Sequence, residues 1–225
     1  MKLFTASLLF SCLPLAMNSF SATINLSTGL DSTNTLITSG NVPDAHWTVV
    51  GAGPARTVFP DNIDFVSFFE PWVPNGPNSD WIALNPLSLS GNARTYQVTF
   101  SLAGLDASTA TLSGGLWTVD DTGFLVLNGN VLGILGGFFE TPWETMHTFT
   151  SPSPSMFNAG LNTLQIIIGA NDNFHEGVRF EGTVTAASAV PEPGTGLMLL
   201  GAGVAAVIGR RLTSRISRRN ASLVQ

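Results

Sequence analysis

Cysteine is almost missing from this 225-residue sequence, with Cys12 alone, and Lys2 is its only lysine. Charged residues make up 11%, less than half the ~25% usual in soluble domains. A single cysteine closes no intrachain disulfide and builds no cysteine-based zinc site. Nine basic residues against fifteen acids leave a net charge of -6, so nucleic acid is a poor partner. His46, His147 and His175 stand apart, with no His-x-x-x-His or His-Glu-x-x-His spacing, and read as surface or loop histidines. No Gly-x-Ser-x-Gly elbow and no phosphate loop occurs. What is plentiful is apolar: 44% hydrophobic residues suffice for one core, and the length suits one domain with appendages.

The charge is segregated along the chain. Residues 22–189 hold fourteen acids and three arginines (Arg56, Arg94 and Arg179), a net of −11. Residues 1–21 hold Lys2 and no acid, and read as a secretory signal peptide. Lys2 supplies the positive start and Leu3–Leu15 a short apolar stretch. Ser19 and Ser21 supply small residues at a cleavage point before Ala22. Removal by signal peptidase leaves a mature chain without cysteine. Residues 188–225 form the opposite pole, with Glu192 against Arg210, Arg211, Arg215, Arg218 and Arg219.

That last segment has an internal order. Val190-Pro191-Glu192-Pro193 comes first, then an uncharged run from Gly194 to Gly209, then Arg210-Arg211. The run is slightly short of the ~20 residues usual for a spanning helix, which snorkelling arginines and a thin bilayer can make up. Arginines behind the span place the C-terminus in the cytoplasm, and a signal peptide places the preceding domain outside. The segment resembles the PEP-CTERM protein-sorting signal of Gram-negative bacteria. The resemblance implies recognition, with cleavage near Pro-Glu-Pro, by a membrane protease of the exosortase type. It also implies transient anchoring in the inner membrane, then the cell surface or extracellular polymer matrix. The tail after Arg211 is longer than the usual few residues, which favours a retained anchor over processing.

Residues 22–187 read as one exported all-β domain of sandwich type. Tyr96–Phe100 and Val178–Val184 alternate with period two, and Thr109–Ser113 does so weakly. Phe124–Leu127, Asn128-Gly129 and Val131-Leu132 spell a hairpin, because Asn-Gly suits a type I′ turn. Leu164–Ile168 is continuous and β-branched, as a buried sandwich strand would be. Prolines crowd the stretch between Gly40 and Pro86, which predicts long loops with edge strands at Trp47–Val50 and Asp64–Phe69. Ser151–Ser155 reads as a further loop, and Ala186–Ala189 as a tether.

Asp120-Asp121 before a strand, the Asn128-Gly129 hairpin, Gly136-Gly137, and Gly160-Leu161-Asn162-Thr163-Leu164 entering a late strand carry a second resemblance. Together they are similar to the galactose-binding-like jelly roll, in the form seen in β-galactosidases and β-glucuronidases. The catalytic barrel of those enzymes is absent, so their activity does not carry over. The resemblance implies a jelly-roll sandwich in which a structural calcium is common.

Candidate site residues are few. Asp120 and Asp121 serve either as turn formers or as calcium ligands; no other cofactor is expected. Trp72, Trp81 and Trp143, with Asn78 and Asp80, serve either as core or as a sugar-stacking set; Trp47 and Trp117 read as core. The sequence predicts a non-enzymatic surface or matrix protein associated with exopolysaccharide. A small glycan-active hydrolase and a purely structural anchored protein are the alternatives.

Overall fold

Among the described residues, short apolar runs between turn residues become eleven β-strands. The computed structural model describes residues 20–59, 72–86, 92–137, 140–169 and 176–189. The signal residues 1–19, the expected strand Asp64–Phe69, and the span, Pro-Glu-Pro motif and arginine tail of 190–225 lie outside the described residues. The strands are β1 (Ser21–Asn25), β2 (Pro43–Val49), β3 (Gly53–Val58), β4 (Trp81–Ala83), β5 (Arg94–Ser101), β6 (Thr111–Asp120), β7 (Thr122–Leu127), β8 (Asn130–Leu135), β9 (His147–Thr148), β10 (Leu161–Gly169) and β11 (Gly177–Ala187). All pairings are antiparallel, in the order β8-β7-β10-β5-β2-β3-β4-β11-β6-β9, with β1 beside β11.

The two halves of this ladder fill one core, as in a sandwich. Tyr96, Val98 and Phe100 of β5, Leu125 and Leu127 of β7, and Leu164, Ile166 and Ile168 of β10 come from one half. Trp117 and Val119 of β6, with Val178, Phe180 and Val184 of β11, come from the other. The alternation seen in Tyr96–Phe100 and Val178–Val184 therefore marks inward faces. The ladder's outer strands also meet, since Thr150, just past β9, donates its N–H to the Leu132 carbonyl of β8 at 2.9 Å. That contact covers an edge that would otherwise be free to pair with another chain.

The Asn128-Gly129 hairpin forms as expected, with φ of 48° and 84° and Leu127 paired to Asn130. The Asn128 carboxamide also donates to the Met156 carbonyl and to Asn162 Oδ1 at 2.7 Å, and accepts from the Thr163 N–H. Asn162 is fully buried and its amide group donates to the carbonyls of Asn158 and Gly160. The asparagines of the hairpin and of Gly160-Leu161-Asn162 are thus one joint, tying β7–β8 to β10.

One expectation is corrected, and one strand has an unexpected outer face. β2 is not an edge strand: it lies between β5 and β3, and Pro43 opens it, where a missing N–H costs least. β10 is not buried on both faces, because Ile167 is 38% exposed. Ile167 pairs with Phe124, and Phe124 with Ile134, so three exposed apolar side chains form a row on the outer face of β10, β7 and β8. The continuous apolar sequence of this sandwich strand marks one buried face and one apolar row.

Candidate functional site

The outward face of β11 is polar, carrying Arg179, Glu181, Thr183 and Thr185 between the inward residues. The strand is locally irregular: between Glu181 and Thr183 its register against β6 shifts, placing Gly114 and Gly115 opposite Gly182. Gly114 takes φ of 88°, and a Cβ there would stand 3.1 Å from the Gly182 Cα, so both backbone conformation and close approach favour glycine. Beside this bulge the outer surface opens into a groove of about 550 Å³. Its floor includes Gly114, Gly182 and Thr183; one wall presents Asn34, Thr35 and Leu36, the other Pro77 and Asn78.

Both walls are held in place by side chains outside the groove's opening. In the first, the Asp31 carboxylate accepts the N–H groups of Thr33 and Thr35 and the Thr33 hydroxyl. Those bonds, the Thr35 N–H first, hold the Asp31 carboxyl below its ordinary range. Leu30 and Leu36 form a bridge across the loop, and Asn34 takes φ of 62° at its tip. Beneath them Asp44 accepts four backbone N–H groups, from Gly29, Leu30, His46 and Trp47. Burial raises the Asp44 carboxyl above its ordinary value despite those donors.

The second wall is anchored by Arg179. Its guanidinium donates to Ser79 Oγ at 2.8 Å and to the Pro74 carbonyl, which fixes the turn closed by the Gly76 N–H to the Ser79 carbonyl. Glu181 then reaches across: its Oε1 accepts from the Asn78 amide at 2.8 Å and its Oε2 from the Ser79 hydroxyl at 3.4 Å. A carboxylate has about four lone-pair sites, so two of Glu181's are left for a ligand.

Asp80 ends this wall, and its environment is poor for charge. Burial pushes its carboxyl up to about 6, with Arg179 pulling down and Asp44 pushing up. A carboxyl raised in the folded state keeps a proton that the unfolded chain has already lost. Its contribution to stability is therefore full below the ordinary value of 3.8 and is lost as pH rises through about 6. The shift corresponds to an order of 2–3 kcal/mol. Urea unfolding at about pH 4 and pH 7.5 checks this. Wild type should lose that much more stability across the interval than Asp80→Asn, and equal slopes for the two proteins would refute it.

The structure separates the residues singled out from sequence. Asn78 lines the groove, and Asp80 stands behind its wall, 4% exposed. Trp72 and Trp81 do not offer ring faces. They stack on each other at a centroid separation of 4.2 Å and are 4% and 0% exposed. They form a second small core with Val58 and Ala83, against which the half-buried Trp143 packs. The Trp81 indole N–H donates to the Val73 carbonyl, and that of Trp72 to Asp120 Oδ2 at 2.7 Å. Asp120 is thereby engaged by an indole; Asp121 is 8% exposed beside it. Among the described residues no group of three His, Cys, Asp or Glu side chains converges to hold a metal ion. Asp120 Oδ2 accepts from Trp72, so the pair brings at most part of the oxygen shell that calcium takes.

His46 and His147 lie on strands rather than loops, each with Nε2 beside a backbone carbonyl, of Asp31 and of Pro142. Sequence reasoning missed Glu181, Asn34, Thr35 and Thr183. The signal available was the polar alternation Arg179, Glu181, Thr183 in a strand whose intervening residues are apolar or glycine.

The chain separates by its contacts into residues 1–189 and residues 190–225. Among the described residues no helix is long and apolar enough to cross a membrane. Residues 189–212 match the PEP-CTERM protein-sorting motif. No curated protein matches the chain. The motif marks the protein as one exported with a membrane-anchored sorting signal and handled by an exosortase.

Proposed function

We propose that the protein is a non-enzymatic component of the cell surface or extracellular matrix, associated with exopolysaccharide through its β-sandwich. The sorting motif at residues 189–212 carries the reading. Signal peptidase removes residues 1–21, the apolar run after Pro193 holds the protein in the inner membrane, and an exosortase cuts near Pro191-Glu192-Pro193. The sandwich is of the galactose-binding-like jelly-roll kind. The groove supports binding over catalysis. Its lining holds one carboxylate, Glu181, already bonded to Asn78 and Ser79, whereas glycoside hydrolysis takes a pair about 5–10 Å apart.

Export in a host with an exosortase and in one without tests the sorting. The arginine tail Arg210–Arg219 should be missing by mass only where the exosortase is present. A tail intact in both hosts would replace processing by a permanent anchor. Co-sedimentation of the exported protein with host exopolysaccharide tests the second half, and no enrichment over a sorted control protein counts against it.

A further inference from the structure

We propose that the groove beside β11 is a saccharide-binding site, and that its ligand is a neutral glycan chain rather than a uronate-bearing one. The proposal rests on the association with polysaccharide argued above and assigns it to a place. The groove's volume of about 550 Å³ falls in the range of sites that enclose small organic ligands.

The chemistry of its lining is the main argument. Asn25, Asn34 and Asn78 supply amides, and Thr35 and Thr183 supply hydroxyls. Each of these groups offers both a donor and an acceptor, except where already committed. A sugar ring presents vicinal hydroxyls that also act as donor and acceptor at once. A lining of amides and hydroxyls matches that pattern better than it matches a phosphate or a peptide side chain. Leu36 and Pro77 add small apolar surfaces at the rims, where the C–H faces of a ring can rest.

Charge narrows the class. Among the described residues Glu181 is the one charged side chain lining the groove. Arg179, two residues before it on β11, is 4% exposed and donates to Ser79 and Pro74. An anionic sugar would therefore meet a carboxylate with no cation among the described lining residues to offset it. The remaining lone pairs of Glu181 instead suit the hydroxyl of a neutral sugar, as charge-assisted acceptors.

Rigidity is the third argument. Asp31 and Asp44 fix one wall, Arg179 and Glu181 the other, through bonds that exist without ligand. A preformed site loses less entropy on binding than a loop that must order.

The test uses the exported protein on an array of neutral and uronate-bearing oligosaccharides. Wild type should bind neutral members. Asn78→Ala, Glu181→Gln and Asn34→Gly should each weaken binding by roughly tenfold, the loss of one well-made polar contact. Asn34→Gly keeps the positive φ and Glu181→Gln keeps the shape, so both keep the fold, which thermal melting verifies. Thr99→Ala, on the exposed face of β5 in the other half of the ladder, should bind as wild type. Unchanged binding in all three groove variants would move the site elsewhere while leaving polysaccharide association standing. Binding of uronate members alone would overturn the neutral class. No binding by wild type would overturn both the site and the association it rests on.

Discussion

Replacing Trp81 by alanine should cost the folded protein about 3–5 kcal/mol, the range for removing a large aromatic from a core. The indole is fully buried, stacked on Trp72, and donates its N–H to the Val73 carbonyl. Its loss leaves Trp72 without its stacking partner and the Val73 carbonyl without its donor. It also loosens the segment that carries Pro77 and Asn78. For a domain of this size the midpoint of thermal unfolding should fall by about 6–20 °C. Trp143→Ala, at a half-buried position against the same cluster, should cost less, about 1–2 kcal/mol. Thermal melts of both proteins decide the matter. A Trp81→Ala protein with wild-type stability and lost glycan affinity would reinstate Trp81 as a sugar platform.

Trp81 also shows where sequence reading stops. Five tryptophans stand out in the sequence, but which of them face solvent depends on what covers them. Trp72 and Trp81 sit among prolines and asparagines, the composition of an exposed loop. Their cover comes in large part from Val58 and Trp143, distant in the chain. Local signals fared better. The Asn128-Gly129 turn, the inward faces of β5 and β11, and the loop at Ser151–Ser155 depend on neighbours in sequence, and each is legible there. β6 is legible only at its start, since Gly114-Gly115 breaks the alternation that resumes at Trp117. The groove was barely legible: Asn34, Asn78 and Glu181 meet only after β11 pairs beside the β1 edge. The sorting motif was fully legible, because a linear signal is read in sequence order.

The same long-range dependence governs the end of the sandwich where β5 and β11 begin. There Glu176, 4% exposed, meets Arg94 Nε at 2.5 Å, accepts the Tyr96 hydroxyl at 3.0 Å and accepts the Asn92 N–H. Tyr96 in turn accepts the Leu84 N–H, so residues 92–96 engage the carboxylate directly and Leu84 joins through the phenol. Burial raises the Glu176 carboxyl, against the opposing pull of Arg94, and burial raises the Tyr96 phenol well above its ordinary value. Glu176→Ala should therefore destabilise by about 2–3 kcal/mol, since it takes the charged acceptor from a buried phenol and one ion-pair partner from Arg94. Tyr96→Phe removes one neutral partner and should cost only about 1–2 kcal/mol. The informative variant is the double one. Arg94→Met with Glu176→Ala should be less destabilised than the sum of the single changes, because the attraction between Arg94 and Glu176 is lost in each single change and counted twice in their sum. Chemical denaturation of the four proteins measures that coupling. Strict additivity would mean that Arg94 and Glu176 are held near each other by the strands alone, and that the pair adds nothing to closing this end of the sandwich.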